Sequence, residues 1–226
     1  MGGSTYTFKS SPYSSHSLLL ALFPEPGRGR LVLDLGCGDG HLGRVLGGRG
    51  YQVTGVERRG GVTGSFPASV RLVEADLDDG LPHFDGRFDF ILCADILEHL
   101  QDPQRLVREL AGLLAPGGRL VASLPNSGNL YFRLNVLAGR FPRHDKGLFD
   151  RTHLHFFTWD GWRALLAGGG FLLESCAPTG IPVGLMFPRR ETWLPVRAAE
   201  SVCYGLARLW KTMFAYQFVV TARPAS

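Results

Sequence analysis

The run "LVLDLGCGDGHLG", residues 31–43, limits the possible folds more than any other stretch of the chain. An apolar segment reaches Asp34, three glycines follow at alternate positions (Gly36, Gly38 and Gly40), and Leu42, Val45 and Leu46 then recur at helical spacing. A short apolar run closed by glycines reads as a buried strand, and the pattern after it as a helix. The glycines let the backbone turn sharply and come close to a ligand, beside the free N–H groups of a helix start. Strand, glycine turn and helix in that order open a parallel sheet whose ligands bind outside the carboxyl ends of the strands.

The rest of the chain continues the alternation. Apolar runs predict strands at 30–36, 51–57, 70–76, 88–95, 119–125, 171–177 and 214–223. Helices are expected at 14–23, at 41–50, from Asp102-Pro103 to about Leu114, after Thr158, and over 196–213. The last is amphipathic, and its apolar face is expected to pack on the sheet rather than on a membrane, although the proline-punctuated apolar stretch "GIPVGLMFP" before it permits either. Two stretches interrupt the pattern, 126–157 and 178–213; insertions of this length commonly act as lids or binding loops. The chain has 226 residues, 45% of them hydrophobic, which suits one globular domain.

Cys37, Cys93, Cys176 and Cys203 are scattered and form no CxxC pair, which argues against a disulfide scaffold or zinc ribbon and fits a reducing compartment. The polar start shows no secretory leader, and "LLLALF" at 18–23 is too short to cross a bilayer. A cytoplasmic protein without stable membrane insertion is expected. Net charge is +4 but uneven: residues 1–126 sum to −2 and 127–226 to +6. The basic half suggests an anionic partner or a solvated basic surface.

The glycine turn alone does not name its ligand. His41 stands where a dinucleotide-binding GxGxxG would carry its third glycine, and no GKS or GKT is present, so dinucleotides and triphosphates are disfavoured. Carboxylates at three successive strand ends point elsewhere. Glu57 can accept both hydroxyls of a ribose. Asp76 can accept from an adenine amino group, and Asp34 can hold a cationic amino acid moiety. The three together suit a ligand with ribose, adenine and positive charge, and S-adenosylmethionine is one such ligand.

With these residues in place, "VLDLGCGDG", the acid of "GVE", "EAD", "FDFILCADILEHL" and "LAPGGRLVASLPN" resemble the successive motifs of class I S-adenosylmethionine-dependent methyltransferases, in order over about 30–177. The resemblance implies an α/β, Rossmann-like fold: a seven-stranded, mostly parallel sheet with helices on both faces and an inserted antiparallel last strand. It also implies that 1–226 is a single methyltransferase domain. An N-terminal helical segment (1–29) would precede the cofactor core (30–125), a substrate-side insertion (126–157), and a C-terminal part (158–226) carrying the lid-like 178–213. "SSH" (14–16), "GRF" (139–141), "GLFDRTHLHFFT" (147–158) and "AYQFVV" further resemble a bacterial subgroup, many of whose members accompany glycan assembly.

Carried over by this resemblance, Gly36, Cys37 and Gly38 wrap the methionine portion with Asp34 in support. Glu57 holds the ribose, Asp76 and Leu77 flank the adenine, and Cys93 and Ala94 close the methionine side with backbone groups. The sulfonium already activates the methyl, so a hydroxyl acceptor needs mainly alignment and a general base. Asp95, Glu98 and His99 in "DILEH", with His153 and His155 in "RTHLHFF", are the candidates; Asp95, His99 and His153 are assigned catalytic. On a helical start, Asp95, Glu98 and His99 would share a face. Ubiquinone-pathway O-methyltransferases and small-RNA 3′-end methyltransferases show a similar E-x-x-E-H with a divalent cation. The RNA enzymes add a later histidine, a place His153 could take; the shorter Asp95 departs from the pattern, and no metal ligand is assigned. In 127–151, aromatics interleave with Arg133, Arg140, Arg143, Lys146 and Arg151 and could hold a sugar ring and an anionic group. The expected function is methyl transfer to oxygen of a small-molecule or glycan acceptor, without DNA as partner. A metal-assisted RNA 2′-O-methyltransferase and a noncatalytic S-adenosylmethionine-binding partner of a glycan enzyme stay open as alternatives.

Overall fold

The computed structural model describes residues 11–186 and 193–225; residues 1–10 of the N-terminal segment and 187–192 of the 178–213 insertion lie outside them. Seven strands, β1 (Leu31–Leu35), β2 (Gln52–Glu57), β3 (Val70–Glu74), β4 (Phe88–Ala94), β5 (Leu114–Pro125), β6 (Phe171–Pro178) and β7 (Gln217–Pro224), form one sheet in the order β3-β2-β1-β4-β5-β7-β6. β1 to β5 pair in parallel, and β7 runs antiparallel between β5 and β6. This is the expected seven-stranded, mostly parallel sheet, with the last strand inserted where the resemblance places it.

The central strands are apolar on both faces because both faces are covered. Helices α1 (Ser15–Ala21) and α2 (His41–Gly48) seat Leu19, Leu20, Leu42 and Leu46 on Val32, Phe90 and Leu92. On the opposite face, α3 (Pro103–Leu113) and α5 (Trp159–Gly168) bury Leu106, Leu110, Trp162 and Leu166 against Leu33, Ile91, Leu120 and Phe218. Alternate residues of β1 and β4 serve the two cores, as the two-residue repeat of a strand dictates. The Asp102 carboxylate caps α3 by accepting from the Arg105 N–H at 2.9 Å, with Pro103 in the first turn. From β1 the chain proceeds outward through β2 and β3, and β4 returns to the other side of β1. The strand order therefore reverses between β1 and β4, where the connections leave in opposite directions and a crevice opens.

Several elements differ from expectation. α3 gives way directly to β5 at Leu114, and "APGG" is part of that strand, with Gly117 at φ 79° and an irregular register opposite Phe88–Phe90. Residues 211–214 form a short helix, α8 (Lys211–Phe214), before β7. The 126–157 segment opens with α4 (Leu130–Leu137) and then builds a small core of its own. There Phe132 stacks on Phe149 at 4.4 Å, and Phe141 and Phe156 pack around them. The aromatics expected to receive a sugar ring are thus mostly satisfied by one another, with Tyr131 half exposed at the rim.

The amphipathic helix, α7 (Leu194–Leu209), follows the short α6 (Val183–Met186) and meets the sheet at β6, but it carries a second apolar stripe that the sheet does not cover. Ala207 reaches the core, while Leu194, Val202, Leu206 and Leu209 face outward. No helix of the described residues is long and apolar enough to cross a membrane.

Candidate functional site

A cavity of about 450 Å³ lies at the carboxyl ends of the strands where the order reverses. Its wall includes the loop after β1, the ends of β2 and β3, the residues after β4, and Asp145, Asp150 and Thr152 of the 126–157 insertion. The volume is in the range of small-molecule sites.

The loop after β1 is held by the neighbouring strand. The Gly36 and Cys37 N–H groups both donate to the Val56 carbonyl, and the Gly38 N–H donates to Glu57 Oε2 at 2.8 Å. Gly36 has φ 69°, and a β-carbon there would lie 2.6 Å from the Ile96 side chain, so both conformation and space require glycine. Cys37 lines the cavity, but burial, Asp34 and Glu57 push its thiol up, so it stays protonated.

Asp34 is 2% exposed and lines the cavity from the penultimate position of β1. Its Oδ2 is buried without a hydrogen-bond partner among the described residues. Burial, and secondarily the Glu57 charge, push its carboxyl up to about 7. A carboxylate left in that state is costly unless a cation completes the site. Glu57 lines the cavity beside it, with Oε1 on the Arg58 N–H at 3.1 Å and Oε2 on Gly38.

Asp39 was not singled out from the sequence. Its Oδ1 accepts from the Thr63 and Gly64 N–H groups at 2.7 and 2.9 Å, and its Oδ2 from the Thr63 hydroxyl, tying the glycine loop to 61–64 across the cavity rim. The Thr63 N–H leads the influences that hold this carboxyl below the usual aspartate range. Its contribution to stability is therefore complete above the ordinary aspartate value and lost as pH falls through the lowered one. Asp39→Ala is expected to cost roughly 1–3 kcal/mol at neutral pH and less in acid, read by thermal melting across pH. An acid inside a glycine loop was the available signal. His16 of α1 and His41 at the start of α2 also line the cavity and were not assigned.

Asp76 stands just beyond β3 at the cavity edge and accepts from the Asp78 N–H at 3.0 Å. Leu77, 7% exposed, is both wall and core, and Ala94 lines the opposite side. Cys93, assigned through its backbone groups, turns its side chain into the sheet core and adds no side chain to the cavity wall.

The presumed catalytic face is arranged differently from expectation. Asp95 has φ 54°, and Leu97–His99 form a single 3₁₀ turn, so Asp95, Glu98 and His99 do not share a helix face. Asp95 lines the cavity, but its Oδ1 accepts from the Ser123 hydroxyl at 2.5 Å and from Gln217 Nε2 at 2.7 Å. Glu98 is 1% exposed, and its carbonyl receives the Leu154 and His155 N–H groups.

His99 lines the cavity with its Nδ1 3.2 Å from the Thr152 carbonyl and 3.1 Å from the Thr152 hydroxyl oxygen. A carbonyl only accepts, and the Thr152 hydroxyl already donates to Asp150 Oδ1 at 2.6 Å. Nδ1 of His99 therefore carries the proton, and in the neutral ring Nε2 keeps the lone pair. His153 is 7% exposed, sits edge-on against His99 at 4.8 Å, and does not line the cavity itself. Burial, and then His99, push His153 down to about 4, so it is neutral. His155 donates from Nε2 to the Leu100 carbonyl at 3.0 Å and is a structural staple.

Glu98, His99 and His153 bring one carboxylate oxygen and two imidazole nitrogens within 4.8 Å of one another. Among the described residues this is the set suited to a divalent cation: Glu98 and His99 with the later histidine His153, and without Asp95.

Eight carboxylates line the cavity, with Arg58 the single Lys or Arg among the described lining residues. None of Arg133, Arg140, Arg143, Lys146 and Arg151 reaches the wall. Arg151 pairs with Asp145 at 2.8 Å, and Arg133 donates to the Gly128 carbonyl at 2.6 Å. The basic segment that suggested an anionic acceptor thus lends the wall no cation of its own, although Arg151 pairs with the wall residue Asp145.

Comparison with known proteins agrees with this architecture. A family model described as a methyltransferase domain matches residues 11–175. The ubiquinone biosynthesis O-methyltransferase of Psychrobacter arcticus is 36% identical over 135 residues, covering 54% of this chain and 52% of that protein. The enzyme of the same name from Xanthomonas oryzae is 33% identical over 122 residues, half of each chain. The chain thus spans about half the length of these curated relatives. Among solved structures, an S-adenosylmethionine-dependent methyltransferase from Archaeoglobus fulgidus superposes with a TM-score of 0.63 at 18% identity, covering 95% of both chains. One from Mesorhizobium loti gives 0.62 at 21% identity, covering 93% of this chain and 98% of that one. These set the fold beside the sheet described above. The chain belongs to the methyltransferase-domain family, with the fold of the class I S-adenosylmethionine-dependent enzymes.

Proposed function

We propose that the chain binds S-adenosylmethionine and transfers its methyl group to a hydroxyl oxygen of a small-molecule acceptor that carries no net negative charge. One observation carries the reading: the buried Asp34 carboxylate, with Oδ2 unpartnered, beside the glycine loop in the cavity. An ammonium-bearing ligand supplies what that oxygen lacks. The relatives' names support oxygen as the methylated atom, and the acidic wall disfavours an anionic acceptor.

When bound, S-adenosylmethionine supplies an electrophilic methyl on its sulfonium. Asp34 holds the ammonium end, Glu57 the ribose, and Asp76 with Leu77 the adenine side. His99 takes the hydroxyl proton of the acceptor on Nε2, while Thr152 and Asp150 hold the ring in the tautomer this needs. Asp95, held by Ser123 and Gln217, shapes the wall beside His99 rather than taking the proton. The 126–157 insertion supplies the acceptor wall, and 30–125 the donor site. A cation held by Glu98, His99 and His153 would add Lewis acidity; the reading does not require one, and turnover is expected to persist in EDTA.

Calorimetry with S-adenosylmethionine and S-adenosylhomocysteine tests the donor, with a nicotinamide dinucleotide as counter-ligand. Binding of the first two and not the third is expected; the reverse rejects the proposal. Labelled methyl transfer to hydroxylated compounds, compared with their phosphorylated counterparts, then tests the acceptor class.

A further inference from the structure

The outward face of α7 combines features that the methyl-transfer reading does not use. Leu194, Ala198, Val202, Leu206 and Leu209 recur at intervals of four and three, the spacing of one helix face. The four larger residues are 80%, 62%, 40% and 84% exposed. This stripe follows from how the opposite face is anchored. Glu200 is buried and accepts from the Ser11 hydroxyl and the Gly184 N–H, both at 2.9 Å. Tyr204 stacks on Tyr13 at 4.6 Å, and Ala207 is fully buried. The helix is therefore anchored through Val196, Ala199, Cys203, Tyr204 and Ala207 together with the buried Glu200, and shows a second, aliphatic stripe to solvent.

Charge and end groups specify what such a face fits. Glu200 is the only carboxylate of α7 and is turned inward, while Arg197 and Arg208 are exposed. Trp193 and Trp210, 51% and 55% exposed, bracket the helix. Aliphatic stripe, cationic flank and a tryptophan at each end are the pattern of a helix lying in the headgroup plane of a bilayer. α4 adjoins it through α8, since Asn126 and Asn129 both donate to the Ala215 carbonyl at 2.9 Å. α4 adds exposed Leu134 and Leu137, with Arg133 and Arg140.

We propose that α7 is a peripheral docking surface for an anionic phospholipid bilayer, on which it lies flat with Leu194, Val202, Leu206 and Leu209 inserted at the acyl boundary and Arg197 and Arg208 at the lipid phosphates. The contact is interfacial, since α7 is not long and apolar enough to span. Each cation near such a surface is worth roughly a fivefold gain in partitioning, and added salt weakens it.

Flotation with vesicles of phosphatidylcholine alone, and with one-third phosphatidylglycerol, tests the proposal on the full chain. The protein is expected to float with the anionic vesicles and to remain below with the neutral ones. Arg197→Glu/Arg208→Glu is expected to lose more than about tenfold in partitioning. Leu206→Glu/Leu209→Glu, on an exposed stripe, is expected to lose flotation while keeping circular dichroism and melting temperature. A blue shift of tryptophan emission on anionic vesicles, reduced in Trp210→Phe, would place the helix end in the interface. Failure to float with either vesicle, or flotation unchanged in the leucine variant, overturns the proposal. So does a concentration-dependent dimer that this variant abolishes, because the stripe would then be covered by a second copy of the chain.

Discussion

Asp34→Asn is expected to abolish donor binding and at the same time raise the stability of the ligand-free protein. The amide keeps the size of the side chain but cannot pair with an ammonium. Removing one partner of a buried charged pair costs about 3–5 kcal/mol, a loss of some hundredfold to several thousandfold in affinity. Calorimetry with S-adenosylhomocysteine reads it. The stability change has the opposite sign. Burial raises the Asp34 carboxyl from 3.8 to about 7, so folding becomes progressively less favourable as pH rises between those values, and the penalty is complete above about 7. Asparagine carries no such penalty. A gain of roughly 2–4 kcal/mol at pH 8, vanishing near pH 4, is expected by linkage and is measurable by denaturant unfolding. The same shift sets the pH dependence of wild-type binding. Affinity should rise about tenfold per pH unit below 7 and level off above it, as Asp34 becomes ionised. A pH-independent affinity, or an asparagine variant that binds normally, would remove Asp34 from the ammonium site.

The second large effect is expected at His99. Replacing it by phenylalanine removes the proposed base, and kcat for an oxygen acceptor should fall about 10²–10⁴-fold while donor affinity stays within a few-fold. Thr152→Val keeps the imidazole but deletes the hydroxyl that joins Nδ1 to Asp150. It should lose part of kcat, and Thr152→Ser should restore it. Nitrogen chemical shifts of His99 report the Nδ1–H tautomer without any acceptor, and Thr152→Val should increase the other tautomer. His153→Gln, behind the wall, should cost kcat far less than His99→Phe. Equal losses at the two histidines would point instead to a joint role for Glu98, His99 and His153.

What could be read from the sequence divides along the range of the forces involved. The strands, the glycine turn and the capped start of α3 follow from local patterns, and carboxylates at successive strand ends place Asp34, Glu57 and Asp76 around one crevice once the sheet is parallel. The acceptor side was less legible because distant partners set it. A five-residue spacing suggested that Asp95, Glu98 and His99 share a face, but Ser123 and Gln217 hold Asp95 in a left-handed conformation and end the helical geometry. His153 carries the same letters whether it faces a cavity or lies behind His99. The basic residues of 127–151 looked like an anion site, but none of them lines the cavity, and Arg151 pairs with the wall residue Asp145. α7 is the clearest case: it carries apolar residues on two sides, and Ser11, Gly184 and Tyr13 help to fix which side is covered.

The inserted strand β7 also bears on the order in which the molecule is made. Gln217, which holds Asp95, is 122 residues further along the chain, and β7 is the piece that joins β5 to β6. A chain emerging from the ribosome can pair β1 to β5 early, but β5 then presents an open hydrogen-bonding edge until the final strand arrives. The wall beside Asp95 is therefore completed by a strand made after β1 to β6, so a nascent chain would form the crevice at the glycine loop before Gln217 arrives to hold Asp95.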